Sequence, residues 1–169
     1  MRVVLMGVSG SGKSLVGARL AAMIGAPFLD ADDFHSPANK AKMAGGRPLT
    51  DEDRAGWLDA LAAALAQRSA AVLACSALKR RYRDRLRAAA PGLQIIHLHG
   101  DFALIRERLA ARQAHFFGGE AMLLSQFADL EPPADDEGAA RVSVEADLEA
   151  VALRCLAALD PPSSSAARA

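Results

Sequence analysis

The chain has 169 residues, 51% of them apolar, with 20 basic and 20 acidic side chains and a formal net charge of zero. That length suits one substantial core and excludes a second large domain, so a single domain over 1–160 with a flexible tail at 161–169 is expected. Zero net charge predicts no general attraction to nucleic acid or an anionic membrane, and the opening MRVVLMG leaves no room for a signal peptide, so a cytoplasmic location is expected.

Residues 3–6 form an apolar run with strand character, and residues 14–24 carry Val16, Leu20, Met23 and Ile24 at helical spacing. Between them lies GVSGSGKS, residues 7–14, which fits G-x-x-x-x-G-K-[ST] in the strand-to-helix setting that this motif needs. Gly7, Gly10 and Gly12 permit a backbone in which successive N–H groups, those of Ser9 and Ser11 included, converge on a phosphate chain. The positive end of the following helix adds to that field. Lys13 can reach the β- and γ-phosphates of a nucleotide, and the Ser14 hydroxyl can ligate Mg2+.

A second strand at 27–29 runs into DADDFHSPANKAKM, residues 30–43, which puts Asp30, Asp32 and Asp33 near a carboxyl edge where open α/β sheets bind ligands. Asp32 is the preferred acceptor for the proton of an attacking hydroxyl, directly or through the Mg2+ shell, against the plainer alternative of a solvated acidic loop. Ser36-Pro37 can start a short helix that carries Asn39 and Lys42, while His35 precedes it. Thr50 and Asp53 resemble a capping pair at the head of a helix over 52–67.

A third strand at 71–75 ends at Cys75-Ser76, and the helix expected over 78–89 is strongly basic. Lys79 and Arg83, one turn apart behind a strand end, are its best candidates for an anion contact, although simple solvation explains most of the other charges. Strand 93–98 and helix 101–112 follow. Arg108 and Arg112 stand four apart and would repel on a bare helix unless a phosphate lay between them. Residues 113–138 mix aromatics, glycines, two prolines and an acidic run, and with Arg108, Arg112 and His115 they fit a mobile lid over about 109–138 that closes on nucleotide. Phe116 and Phe117 are candidate anchors of that lid. A weak strand at 141–144 and a helix over 145–159 complete the core, and Cys75 and Cys155 read as buried thiols.

Alternating strands and helices imply a mainly parallel five-stranded sheet covered on both faces, a three-layer α/β/α arrangement. No hydrophobic strand ends in the aspartate of an ordinary Walker B motif, and no separate domain exists to relay hydrolysis energy, so a small phosphotransferase is favoured over a motor or regulatory GTPase.

The chain resembles bacterial gluconokinases of the thermoresistant type, within the shikimate-kinase-like P-loop group. The resemblance runs through VLMGVSGSGKS at 4–14, FLDADDFH at 28–35, N-x-x-KM at 39–43, G-x-PL-x-DEDR-x-x-WL at 46–58, CSALK-x-x-YRD-x-LR at 75–87 and LAARQAHFF at 109–117. It continues through ML-x-SQF-x-x-LE-P at 122–132. It implies a P-loop kinase fold with a helical lid, and transfer of the ATP γ-phosphate to the 6-hydroxyl of D-gluconate on the way to the pentose phosphate route. In the roles it implies, Lys13, Asp32 and Arg112 are catalytic, Gly7, Ser9, Gly10, Ser11, Gly12, Lys13, Ser14, Arg108 and Arg112 hold ATP, and Ser14 with Asp32 holds Mg2+. Asp32, His35, Asn39, Lys42, Arg54, Lys79, Arg83 and His115 form the implied acceptor side, Arg54 facing the carboxylate, and similar enzymes commonly form homodimers. Ser36 stands where the family commonly has proline, and Ser143-Val144-Glu145 replaces a frequent Asp-x-Asp on the adenine side. A kinase for another small hydroxy acid such as shikimate, or a non-catalytic nucleotide-dependent interaction protein, is the competing expectation.

Overall fold

Alternating side chains along the first strand decide the layering. In the computed structural model the strand turns Val3 and Leu5 to one face and Val4 and Met6 to the other, and all four are fully buried. A strand with two apolar faces needs cover on both. The structure describes residues 1–112 and 117–159; His115, Phe116 and the tail at 161–169 fall outside it, as do the side chains of Arg112 and Phe117.

The elements run β1 (Arg2–Met6), α1 (Lys13–Ile24), β2 (Phe28–Asp30), α2 (Pro37–Ala44), α3 (Asp51–Ala66) and β3 (Ala71–Ala74), then α4 (Arg80–Ala89), β4 (Gln94–His99), α5 (Phe102–Arg112), α6 (Phe117–Asp129), β5 (Ala140–Ser143) and α7 (Leu148–Ala157). All four pairings are parallel, and the strand order is β2-β3-β1-β4-β5. The register sets Leu5 beside Ala74 and Met6 beside His97, so the carboxyl ends of β1, β3 and β4 form one edge.

Val16 and Leu20 of α1, Ile105 and Leu109 of α5, and Val151 and Cys155 of α7 cover the Val3 and Leu5 face. Trp57, Leu61 and Leu65 of α3 with Tyr82 and Leu86 of α4 cover the other. Each such leucine contributes about 1.5–3 kcal/mol by leaving water. The three-layer α/β/α fold read from the sequence is therefore present.

Local chemistry sets the helix ends. Thr50 Oγ1 accepts from the Asp53 N–H while the Asp53 carboxylate accepts from the Thr50 N–H, a complete capping box built with Asp. Ser36 caps α2 with Pro37 at its first position, and Gly25 ends α1 in the left-handed region. Two helices start later than the sequence suggests. At α4, Ala77 takes a left-handed φ of 41° and Lys79 is extended, so the first turn begins at Arg80, whose N–H donates to the Glu131 carboxylate at 2.7 Å. At α7, Asp147 accepts from the Ala150 N–H at 2.8 Å and fixes the start at Leu148.

Residues 117–137 are tied to the core more closely than their composition suggests. Leu123 of α6 is fully buried, Phe127 meets Phe102 edge-on at 5.4 Å, and Arg106 pairs with Glu120 at 3.1 Å. The acidic run at 135–137 is no solvated loop at its end, because the Glu137 side chain is 1% exposed.

Candidate functional site

The phosphate loop departs from β1 at the sheet's carboxyl edge. The Gly7 N–H donates to Ser76 O at 3.2 Å, which ties the loop to the end of β3. Gly7 has φ 146°, and a Cβ there would lie 2.5 Å from Leu98 O; Gly10 has φ 81°, and a Cβ there would lie 2.6 Å from Leu109 Cγ. A side chain at either position would force the loop off β4 or α5.

Lys13 and Ser14 sit at the first turn of α1. Lys13 Nζ donates to Val8 O at 2.9 Å, curling over the loop. Burial pulls its pKa below the ordinary lysine value, and the carboxylates of Asp32 and Asp30 oppose that pull. The Cys75 thiol, pushed up to about 12 by burial, stays neutral. Ser14 Oγ donates to Asp30 Oδ2 at 2.6 Å, and Asp30 Oδ1 accepts from the Asp32 N–H at 3.1 Å. Asp30 is thus the carboxylate in contact with Ser14, whereas the Asp32 side chain is 89% exposed.

One cavity of about 530 Å3 joins this loop to a second wall. Ser9, Gly10, Gly12, Lys13 and Ser14 line the loop side, with Asp30 and Asp32 beside them. His35, Met43, Arg54 and Trp57 line the far side. His35 stacks on Trp57 with centroids 4.5 Å apart and planes 8° from parallel, and Trp57 Nε1 donates to Ala31 O at 2.7 Å. Burial lowers the His35 pKa, only partly opposed by Asp32 4.0 Å away, so the ring is neutral at pH 7. Its Nδ1 is buried without a partner among the described residues. Arg54 lies over the Tyr82 ring, 5.8 Å from the centroid, with its guanidinium on the cavity wall.

The other candidates on this side are taken by protein partners. Asn39 Nδ2 donates to Asp53 O at 2.7 Å, and Lys42 forms an ion pair with the Asp53 carboxylate, which together pin α2 to the head of α3. Lys79 lies between Asp51 at 3.6 Å and Asp129 at 3.5 Å, joining α3 to the end of α6. Arg83 cannot be an anion contact: its side chain is fully buried, donates from Nε and Nη2 to Glu137 at 2.7 and 2.6 Å, and donates from Nη1 to Ala77 O, Leu78 O and Glu131 O. Helical spacing put it one turn from Lys79, but α4 begins after Lys79 and turns Arg83 inward.

On the opposite side of the loop a cavity of about 300 Å3 is lined by Leu15, Val16, Val144, Leu148 and Val151, with Arg108 at its edge. Arg108 Nη2 donates to Val144 O at 2.5 Å. The sequence pattern missed two members of the main cavity. In sequence Asp30 is one of an acidic cluster, and its place at the end of β2 opposite Ser14 is the signal that singles it out. Gln126, whose Oε1 accepts from the Ser9 N–H at 2.6 Å, sits in the SQF of the 122–132 motif, which assigned it no role.

Among the described residues no group of three or more His, Cys, Asp and Glu could hold a metal. The oxygen donors at Ser14 and Asp30 still fit Mg2+, which takes one or two protein oxygens and leaves its other positions to water and phosphate.

A family model described as an AAA domain matches residues 3–133. The chain is 49% identical over 153 residues to the thermoresistant gluconokinase of Escherichia coli K12, covering 88% of this chain and 87% of that protein. It is 44% identical over 147 residues to a gluconokinase of Gluconobacter oxydans, covering 85% and 82%. A crystal structure of a gluconokinase from Sinorhizobium meliloti superposes with a TM-score of 0.88 at 44% identity, covering 93% of this chain and 90% of that one. Shikimate kinase from Aquifex aeolicus shares the fold, with a TM-score of 0.57 at 17% identity.

Proposed function

The chain belongs to the gluconokinase family and phosphorylates gluconate with ATP, and from that premise we propose which groups of the cavity carry the transfer. The observation that carries the reading is the single cavity with the phosphate loop on one wall and His35, Arg54 and Trp57 on the other, Asp32 lying between. A phosphoryl donor and a polyhydroxy acid need to meet in such a space with water displaced.

The phosphates of ATP take the loop N–H groups other than that of Ser9, which Gln126 holds, and Lys13 swings from Val8 O to the β- and γ-oxygens. Lys13 needs to be charged for that role, and the carboxylates of Asp30 and Asp32 favour the charged form. Ser14, supported by Asp30, holds Mg2+, which when bound neutralises charge building on the phosphate oxygens. The 300 Å3 cavity beside Arg108 suits the adenine ring through its apolar lining. Arg112, on the lid side, adds positive charge to the phosphates.

Gluconate lies with its carboxylate toward Arg54, a planar guanidinium suited to a carboxylate. The neutral His35 ring offers its unpartnered Nδ1 to a hydroxyl of the chain. Asp32 orients the 6-hydroxyl and takes its proton as the new O–P bond forms and ADP leaves, giving 6-phospho-D-gluconate. Closure of the lid over about 109–138, with His115, excludes water, and the protein works as a homodimer. No helix among the described residues is long and apolar enough to cross a membrane, and a cytoplasmic site of action is consistent with that.

The test is a coupled ADP-release assay run in parallel with D-gluconate, shikimate and related sugar acids. Gluconate-dependent ADP release with no response to shikimate is expected. A stronger response to another acid, or nucleotide binding with no acceptor-stimulated release, would overturn the assignment.

A further inference from the structure

Helix α6 lies within the stretch assigned to the lid, yet one of its side chains reaches the phosphate loop. Met122, Ser125, Gln126 and Asp129 line the main cavity, a spacing that puts them on one face of the helix, while Leu123 is fully buried in the core. Gln126 Oε1 accepts from the Ser9 N–H at 2.6 Å, a contact between residues 117 apart in the chain. Ser9 is the third residue of the phosphate loop, so this contact holds the loop itself, beside the amides left to converge on phosphate.

The direction of this hydrogen bond fixes the carboxamide. A backbone N–H only donates, so the oxygen of Gln126 must face the loop and its Nε2 must face away from it. No described group of the protein accepts from that Nε2, and Gln126 lies on the cavity wall. The side chain therefore presents two N–H donors to a space where the reaction offers oxygen acceptors, those of the migrating phosphoryl group and those of the hydroxy acid.

Two further ties give the latch leverage. Lys79 joins Asp129 at the end of α6 to Asp51 at the head of α3, three residues before Arg54. Through Gln126 at one point and Lys79 at another, α6 spans the donor loop and the helix that carries Arg54. A shift of α6 would change the separation between the two walls.

We propose that Gln126 is a positioning residue for phosphoryl transfer: its carbonyl latches α6 to the phosphate loop at Ser9, and its NH2 donates to an oxygen of the reacting pair. Resting on the gluconokinase reading, this adds an element that couples the two halves of the cavity. Misplacing reacting atoms by about 1 Å costs roughly a hundredfold in rate, so loss of the latch should show in turnover and in the fidelity of the acceptor.

The experiment uses the full chain with Gln126→Leu, which removes both functions at similar bulk, and Gln126→Glu, which keeps an acceptor for the Ser9 N–H and removes the donor. Gluconate phosphorylation and ATP hydrolysis without transfer are measured side by side, with KM for each substrate and the thermal midpoint. For Gln126→Leu we expect kcat to fall about thirtyfold or more and hydrolysis per transfer to rise several-fold, with the midpoint within a few degrees of the parent. Gln126→Glu should keep the low hydrolysis ratio while losing kcat. A larger change in gluconate KM assigns the NH2 to the hydroxy acid, and a larger change in ATP KM assigns it to the phosphate; both support the proposal. A Gln126→Leu protein with kcat and hydrolysis ratio within about twofold of the parent, or one whose activity falls only with its folded fraction, overturns it. A parent protein inert toward gluconate would instead overturn the underlying function.

Discussion

The donor and acceptor walls of the one cavity are built by different means. Residues 7–14 are contiguous, and their chemistry resides in backbone N–H groups and in two side chains at fixed offsets. The acceptor wall draws on the 3-10 turn Ala31–Phe34, which His35 ends, and on α2 and α3, and is held by side-chain ties: the His35–Trp57 stack, the Lys42–Asp53 ion pair and the Asn39 hydrogen bond to Asp53. A contiguous wall tolerates change in its surroundings and little change within it. A tied wall can be loosened from residues that never meet the substrate.

The largest effect should come from the donor wall. Lys13→Ala should lower kcat about ten-thousandfold, because a charged group directed at the transferred phosphate is lost, while the protein stays folded. Its thermal midpoint should hold or rise, since burial already penalises the charged ammonium. Turnover near the parent's would remove Lys13 from the mechanism. Next comes Arg83→Met, which leaves the buried Glu137 carboxylate without its main partner and should cost about 3–5 kcal/mol of stability in urea unfolding. Below the unfolding range, gluconate KM should stay within about twofold of the parent. A large KM change with unaltered stability would return Arg83 to the substrate side.

The same contrast explains what could be read from the sequence. The loop, the sheet with its five parallel strands and most helix ends followed from motifs, periodicity and caps, all local signals. Thr50 with Asp53 and Ser36 with Pro37 capped as their spacing suggested. Arg83 misled because the residue that neutralises it, Glu137, is 54 positions away in an acidic run that reads only as part of the lid. For Asn39 and Lys42 the sequence did not show that Asp53 engages both across the gap between α2 and α3. Asp30 and Gln126 act on Ser14 and Ser9 through pairings that only the folded sheet edge brings together.

Acid should weaken the side of the sheet that α3 and α4 cover. His97 in β4 is 3% exposed, its Nδ1 has no partner among the described residues, and its pKa is pushed down to about 4. Burial is the main cause, followed by His99, Arg141 and Arg83. The unfolded chain takes up this proton near pH 6.5 and the folded chain only near pH 4, so stability is complete above about pH 6.5 and declines as pH falls toward 4. The decline should reach about 2–3 kcal/mol, and His97→Leu should flatten it. Glu137, held at about 2 chiefly by its hydrogen bonds from Arg83, adds a separate loss below about pH 4.5. Unfolding midpoints that stay level from pH 7 to 4.5 in the parent would contradict the buried neutral ring.

The smallest expected effect is the most discriminating for the acceptor wall. Lys42 pairs with Asp53, the neighbour of Arg54 and the reciprocal partner of the Thr50 cap. If Lys42 acts by steadying the head of α3, Lys42→Met should raise gluconate KM about three- to tenfold, leave ATP KM unchanged, and lose most of its effect in a chain already carrying Asp53→Asn. Asparagine at 53 keeps an oxygen for the Thr50 N–H and removes the charge that Lys42 meets. A direct contact of Lys42 with the gluconate carboxylate would instead add its full cost on top of Asp53→Asn, because the two changes would then remove independent interactions. The cycle measures a coupling energy, so strong coupling leaves Lys42 as part of the frame around Arg54, and additivity would make it part of the substrate contact.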